Sequence, residues 1–245
     1  MPSRIRGSAL LKGQQRVNLA IYVQAVPLLL KHPTIFVLPL LAAVVDLLIG
    51  QISPFFTNAL GGLGNFIFQI VVQLVYGFCF GVAVIGASDA WRGRRAGFDD
   101  MWEEGRRKAG GILIATIGFY FLLFAAGYIA SFFGSGILQI GLQLIVAYFL
   151  IYTIPAAAIG GMPGNLAISA SYRTVRESLL ASAILAIVFV LLWVELPNLL
   201  VDRFAMSLGV IGYQLMLAGV KAIVLAYLAF PFAKQYDDVA FTRYW

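Results

Sequence analysis

Long apolar stretches recur along the chain with almost no charged residue inside them, and short polar segments separate them. A helix needs about 20 apolar residues to cross ~30 Å of hydrocarbon. The pattern predicts six spans: Thr34–Ile52, Phe66–Ala90, Gly110–Phe133, Gly136–Ile159, Ser178–Leu200 and Met206–Phe232. On one side the predicted connections are short, namely Ser53–Asn65, Gly134–Ser135 and Val201–Ala205, so the spans form three helical hairpins.

A segment with helical periodicity leads into each hairpin. Phe98–Ala109 has apolar residues on one face, with its acids first and its bases last, which suits the helix dipole. Asn165–Glu177 repeats the design, with Tyr172 on the apolar face and Thr174 on the polar face. We expect both to be amphipathic helices in the membrane interface. Val17–Leu30 is too short to span and is expected to be interfacial or re-entrant.

The hairpins share a repeated sequence element. Gln69-Ile70-x-x-Gln73-Leu74 returns seventy residues later as Gln139-Ile140-x-x-Gln143-Leu144, and Gln214-Leu215 follows after a similar interval. We therefore predict a single membrane domain, 1–245, built from three tandem repeats at about 16–91, 96–160 and 164–234. Each repeat contains two spans, so the repeats share one orientation and are related by an axis along the membrane normal.

Composition supports this all-α integral membrane fold. The chain is 61% hydrophobic and 11% charged, whereas soluble domains are about 45–50% apolar and about 25% charged. A soluble fold could not bury this much apolar surface. Cys79 and His32 are the only residues of their types, which is too few for a zinc, haem or iron–sulfur site within the chain. We expect no metal and no cofactor.

The cations are strongly segregated by the predicted topology. Fifteen of the seventeen Lys and Arg fall on one side: Arg4, Arg6, Lys12, Arg16, Lys31, Arg92, Arg94, Arg95, Arg106, Arg107, Lys108, Arg173, Arg176, Lys234 and Arg243. Because Lys and Arg concentrate in cytoplasmic loops, we predict a multi-pass cell inner (plasma) membrane protein with both termini cytoplasmic. The net charge of +6 is assigned to contacts with anionic lipid headgroups, not with nucleic acid.

Four ionisable residues lie inside predicted spans, where a charge is costly and is a functional candidate. From a rise of ~1.5 Å per residue, Lys221 is expected near Asp89 in the cytoplasmic half. Asp46 and Glu195 are expected in the other half, nearer Arg203. They form either a proton or ion relay or a set of structural ion pairs, with Lys221 also able to reach the headgroups. The structural interpretation is favoured.

Five glutamines form a second set of polar candidates: Gln69, Gln73, Gln139, Gln143 and Gln214. The i,i+4 spacing puts each of the first two pairs on one helix face. They either line a polar path or form hydrogen bonds that join helices, and the second interpretation is favoured. Gly77-x-x-x-Gly81 predicts a close helix–helix contact.

One stretch of the chain resembles a known family. It runs from Pro155 through Gly161 to the amphipathic Ala167–Glu177, which leads directly into a span and carries a Ser/Arg core at Ser171, Arg173 and Arg176. This layout resembles uncharacterised bacterial six-span proteins that are similar to the glycerophosphodiester phosphodiesterase membrane domain. The family often has an acidic residue where this chain has Met162-Pro163. The resemblance implies an integral membrane fold without the hydrolase domain and its activity.

The chain shows no Ser–His–Asp set, no nucleophile elbow and no phosphate-binding loop. We therefore expect a protein that is not an enzyme. The favoured role is a scaffold or accessory subunit that packs against other membrane proteins or organises membrane lipids. The alternative is a small-solute or ion transporter that uses Asp46, Glu195, Lys221 and the glutamines.

Overall fold

The computed structural model describes residues 17–134 and 136–240, less the side chains of residues 53, 56–60, 62–66, 131, 198, 201–202, 205–206, 208 and 210. Within that part of the chain every regular element is a helix. The helices are α1 (Ala20–Lys31), α2 (Thr34–Leu60), α3 (Gly62–Trp91), α4 (Phe98–Arg107), α5 (Ala109–Ser131), α6 (Gly136–Leu150), α7 (Thr153–Ala158), α8 (Gly164–Glu177), α9 (Leu179–Phe189), a π-helical turn (Val190–Glu195) and α10 (Leu196–Ala240). The predicted cations at both ends of the chain, Arg4 to Arg16 and Arg243, lie outside the described residues.

Five helices are long and apolar enough to cross a membrane: Thr34–Ile52, Ile67–Trp91, Ala109–Ala130, Gly136–Ala158 and Ile211–Ala240. The first four agree with predicted spans to within a few residues. A sixth candidate is the pair Gly164–Glu177 and Leu179–Glu195, which is bent by 118°. The chain is therefore an all-helical candidate multi-pass membrane protein, and its division into three repeats stays a prediction.

Two predicted connections are wrong. Helix α2 continues into the predicted connection Ser53–Asn65 as far as Leu60, and only Gly61 separates it from α3. Helix α10 likewise continues through Val201–Ala205 and breaks at Gly209. Both glycines have positive φ values, +61° and +66°, which glycine adopts without steric cost. One such residue is enough to end a helix, so no polar loop is needed.

The antiparallel pairing of the helices puts Gly61, Gly134 and Gly209 at the same end of the bundle. On α3 and α5, Gly77 faces Thr116 and Gly81 faces Ile112, so the residue numbers run in opposite directions. We call this end the glycine-turn end and the opposite end the basic end. The described basic residues of the connections lie at the basic end: Lys31, Arg92, Arg94, Arg95, Arg106, Arg107, Lys108, Arg173 and Arg176.

The contact predicted from Gly77-x-x-x-Gly81 is confirmed. A Cβ on Gly81 would lie 2.7 Å from Ile112 Cγ2, and one on Gly77 would overlap the Thr116 side chain. The two glycines therefore let α3 and α5 approach closely at mid-height.

Helix α8 packs on the bundle through a polar residue. The Ser171 hydroxyl, fully buried, donates to the Phe149 carbonyl at 2.9 Å and accepts from the Tyr152 N–H at 3.1 Å. It thus satisfies backbone groups at the break between α6 and α7. The predicted polar face of α8 is wrong in part, because Thr174 is buried.

Lys108 ties α4 to the end of α7. Its ammonium donates to the carbonyls of Ala158 at 2.7 Å and Ile159 at 3.2 Å, and it pairs with Glu104 at 2.8 Å. A cation is favourable there because carbonyls at a helix C-terminus carry partial negative charge. The hydrogen bond from Lys108 lowers the pKa of the Glu104 carboxyl below its usual value.

Candidate functional site

A cavity of about 530 Å³ lies in the half of the bundle nearer the glycine-turn end. Helices α3, α5, α6 and α10 and the π-helical turn supply its walls. Four of the five predicted glutamines line it: Gln69, Gln73, Gln139 and Gln143. The sequence predicted that these residues share helix faces, and the fold directs both faces into one space.

The amides of the two α6 glutamines, Gln139 and Gln143, lie beside Gly127 on α5. A Cβ at that position would lie 3.0 Å from Gln143 Nε2 and 4.0 Å from Gln139 Nε2. The carbonyl oxygens of Gln73 and Gln143 are buried and accept no hydrogen bond from the described residues. An unmet acceptor in a buried site costs ~1–3 kcal/mol, so these two oxygens favour an occupant that donates hydrogen bonds.

The cavity lies on the glycine-turn side of the close contact between α3 and α5. Tyr76 and Thr116 are the lining residues nearest that contact on the two helices, and Gly77 packs against Thr116 there.

Lys221 lines the cavity and forms an ion pair with Asp46 on α2. The Nζ–Oδ2 distance is 2.7 Å, and the Tyr76 hydroxyl donates to the same carboxylate oxygen at 2.9 Å. Lys221 Nζ also lies 5.5 Å from the centroid of the Tyr76 ring, within range of a cation–π interaction. The three side chains form one network beside the cavity.

The predicted pairing of Lys221 with Asp89 is wrong. Asp89 lies at the basic end and pairs loosely with Arg94, at 3.7 Å. The error comes from the position of the last span, which was predicted as Met206–Phe232 but is Ile211–Ala240. That shift moves Lys221 into the half nearer the glycine turns, where Asp46 also lies.

Small residues explain why α2 and α10 come close enough for this pair. Ala43, Ala218 and Ala222 form a separate small core between the two helices. Ala218 and Ala222 bracket the position of Lys221 on α10, and Ala43 lies one turn from Asp46. Helix backbones with alanine at the contact approach closely, so the lysine and the aspartate meet directly.

Gln214 and Glu195, like Asp46 and Asp89, lie outside the cavity lining. Gln214 accepts a hydrogen bond from Gln51 Nε2 at 2.7 Å, which joins α10 to α2 as an interhelical contact. Glu195, at the end of the π-helical turn, has no ion-pair partner within 4.0 Å among the described residues. The sequence predicted only that Glu195 lies in the same half of the membrane as Arg203, and this stays a prediction.

The π-helical turn brings Trp193 into the cavity wall. Pro197 has no N–H to donate to the carbonyl four residues earlier, and its ring crowds that carbonyl. A widened turn relieves the conflict, and such turns are frequent at functional sites. The Trp193 ring lies 5.1 Å from the Tyr76 ring in an edge arrangement at 75°, and Tyr120 lines the cavity beside them.

Sequence reasoning missed these aromatic residues of the site. A signal was present for Tyr76, because it lies at i+7 from Gln69 and i+3 from Gln73 and so continues their helix face. Trp193 had only an indirect signal, the proline four residues after it. Nothing in the sequence pattern brings Tyr120 to Trp193, because that contact depends on how α5 packs against the π-helical turn.

The site can hold a small polar molecule within an apolar bundle. Its amides donate and accept hydrogen bonds, its aromatic rings offer flat contacts, and its one cation is neutralised by Asp46. Among the described residues no three His, Cys, Asp or Glu side chains group as metal ligands would. No protein-family model, curated protein or solved structure matches the chain.

Proposed function

We propose that this protein is a membrane transporter that binds a small solute in the glutamine cavity. The observation that carries the proposal is the convergence of Gln69, Gln73, Gln139, Gln143 and Lys221 on one space of about 530 Å³. Pockets for small ligands typically have volumes of about 300–1,000 Å³ with a few polar groups placed on an apolar lining. Polar groups within spans that face a cavity instead of lipid mark substrate pathways.

The depth of the site also supports transport. Measured from the start of the candidate span at Ile67, Gln69 and Gln73 lie about 3–9 Å deep and Tyr76 about 14 Å deep, from a rise of ~1.5 Å per residue. The inner end of the cavity, at Tyr76, therefore reaches the middle of a bilayer core ~30 Å thick. Carriers hold their substrates near the midplane, where the protein can close on either side of the site.

In this proposal the ion pair between Lys221 and Asp46 links substrate binding to helix movement. The pair joins α2 to α10, while Tyr76 joins the same carboxylate to α3. Three helices therefore meet at one charged contact next to the cavity. A solute that competes for Lys221 or Tyr76 loosens that contact, so binding shifts the packing of the three helices.

The segregated cations support an orientation. We assign the basic end of the bundle to the cytoplasm, following the excess of Lys and Arg in cytoplasmic loops. The cavity then lies in the outer half of the membrane. The proposed location is the inner membrane of a bacterial cell, with both termini cytoplasmic.

The scaffold or accessory role stays a competing proposal. It rests on the sequence, in which the lead-in segments have interfacial character and catalytic motifs are lacking. No contact in the described part of the chain favours it specifically. The proposal that the protein is not an enzyme rests on the same sequence argument.

Two-sided thiol labelling tests the transport proposal without knowledge of the solute. The only cysteine, Cys79, is buried and is replaced by alanine. A Gln73→Cys variant in oriented vesicles is then treated with a membrane-impermeant thiol reagent from each side. Transport by alternating access predicts labelling from both sides. Labelling from one side only, or from neither, contradicts transport.

An Ile145→Cys variant serves as the control. Ile145 is an exposed apolar residue on α6 outside the cavity, so it faces lipid in the proposed arrangement and is not labelled. A signal at this position would show that the reagent reaches residues through the lipid, so that labelling of Gln73→Cys would not report the cavity.

A further inference from the structure

The cavity reaches the apolar surface of the bundle between α3 and α5. Four residues of its lining are exposed and apolar: Ile70, Ile117, Phe121 and Phe124. Phe121 alone is 64% exposed. These side chains lie within candidate spans, so in a membrane they contact lipid chains. The gap between α3 and α5 thus connects the polar interior of the cavity with the hydrocarbon.

The gap opens on one side of a fixed contact. Helices α3 and α5 touch at Gly77 and Gly81, against Thr116 and Ile112. Towards the glycine-turn end, Gln73 and Tyr120 line open space between the same two helices. The opening is therefore part of the fold and does not require a helix to move.

The polar interior is uncharged overall. Asp46 neutralises Lys221 at 2.7 Å, and the other polar groups of the lining are amides, hydroxyls and an indole. The buried carbonyl oxygens of Gln73 and Gln143 accept no hydrogen bond from the described residues. A phosphate or carboxylate group offers them only acceptors, and because Lys221 is paired with Asp46, the lining has no unpaired cation to match its charge. A quaternary ammonium offers no N–H. A hydroxyl group both donates and accepts, which suits an amide.

The volume of the cavity limits which part of a lipid-like molecule it can hold. A cavity of about 530 Å³ is within the range of about 300–1,000 Å³ that is typical of pockets for small ligands. This is room for a glycerol unit or a single sugar ring, with long acyl chains left in the bilayer. The apolar gap between Ile70 and Phe121 is where a chain would leave the cavity.

We infer that the solute is an amphiphile with an uncharged, hydroxyl-bearing head, which enters the cavity from the membrane between α3 and α5. This inference rests on the proposed function, because it names the substrate class of the same cavity. The head contacts the glutamine amides and Trp193, and the chain lies against Ile117 and Phe121.

Photo-crosslinking tests the inference with the full chain in lipid nanodiscs. The probe is a monoacylglycerol with a diazirine in its acyl chain, and the comparison is a lysophosphatidic acid with the same chain and diazirine. We expect monoacylglycerol to label peptides of α3 and α5 around Ile70 and Phe121, and unlabelled monoacylglycerol to compete. Equal labelling by the anionic probe, or labelling spread over the exposed face of α6, would overturn the inference.

Two variants localise the binding. Gln73→Leu removes one amide and is expected to weaken monoacylglycerol binding about tenfold, the upper range for one hydrogen bond. Gln214→Leu removes an amide that lies outside the cavity lining and is expected to change nothing. If Gln73→Leu folds poorly, Ile117→Trp at the opening provides the second test, because it blocks the gap and reduces labelling. Unchanged labelling in either cavity variant counts against the inference.

The two proposals fail in different ways. If Gln73→Cys is labelled from both aqueous sides but monoacylglycerol does not bind, the protein is a transporter and the substrate class is wrong. If monoacylglycerol binds but labelling comes from one side only, the substrate class stands and transport is wrong.

Discussion

Replacement of Lys221 by methionine leaves the Asp46 carboxylate without its cation. The pair is short, with 2.7 Å between Nζ and Oδ2, and the two side chains are 24% and 26% exposed. At that separation the gross attraction is about 6 kcal/mol for an effective dielectric constant of ~20. Desolvation of both ions offsets much of this attraction.

Loss of one partner of a buried pair costs about 3–5 kcal/mol. Because both side chains keep some exposure and Asp46 keeps its hydrogen bond from Tyr76, we expect about 2–3 kcal/mol for Lys221→Met. Asp46→Asn should cost a similar amount. The double variant should lose less than the sum by about 1–3 kcal/mol, as expected for residues in direct contact.

The assay is reversible unfolding in mixed micelles, titrated with a denaturing detergent and followed by circular dichroism. Lys234→Met is the matched control, since Lys234 Nζ also lies 2.7 Å from a carboxylate, that of Asp238. That pair lies within one helix at i,i+4 and is more exposed, so we expect a loss of ~0.5 kcal/mol or less. Additivity of the Lys221 and Asp46 variants to within ~0.5 kcal/mol would refute the ion-pair assignment.

Three further outcomes are expected. Gly81→Ala should destabilise the protein by about 1–3 kcal/mol in the same unfolding assay, because the new Cβ would lie 2.7 Å from Ile112 Cγ2. Gly141→Ala, where a Cβ meets nothing within 4 Å, should be neutral or stabilising by up to ~1 kcal/mol, and equal effects would contradict the packing. Lys108→Met should cost about 1 kcal/mol, since it removes the cation from the end of α7; an unchanged unfolding midpoint would exclude that role. The lowered pKa of Glu104 means that its contribution is present above its unfolded-state pKa of ~4.3 and is lost as the pH falls through its lower folded-state pKa. Glu104→Gln should reduce the loss of unfolding free energy that accompanies acidification. An unchanged dependence of stability on pH would contradict the pairing of Glu104 with Lys108.

Much of the helical content could be predicted from hydropathy alone. The first four spans were predicted to within a few residues, because a stretch of about 20 apolar residues has few alternatives to a helix in lipid. The turns could not be predicted in the same way. The segment Ser53–Asn65 was predicted as a connection between spans, yet α2 continues to Leu60 and a single glycine, Gly61, separates it from α3.

The site could be predicted only where it depends on local helix geometry. Helical spacing correctly put Gln69 with Gln73 and Gln139 with Gln143, because i,i+4 geometry is local. The partner of Lys221 depended on depth, and an error of a few residues in the span moved it by more than one helical turn of 5.4 Å. The cavity itself depends on the divergence of two helices above Gly77, which no local pattern encodes.

A high-resolution structure of the protein in a lipid nanodisc would show whether the cavity is present and what occupies it. We expect α3 and α5 to diverge above Gly77, the Gln73 and Gln143 amides to face open space, and this space to contain density continuous with a lipid chain at Phe121. Direct packing of α3 against α5 along their whole length, with the glutamines bonded to each other and no space between them, would contradict this expectation.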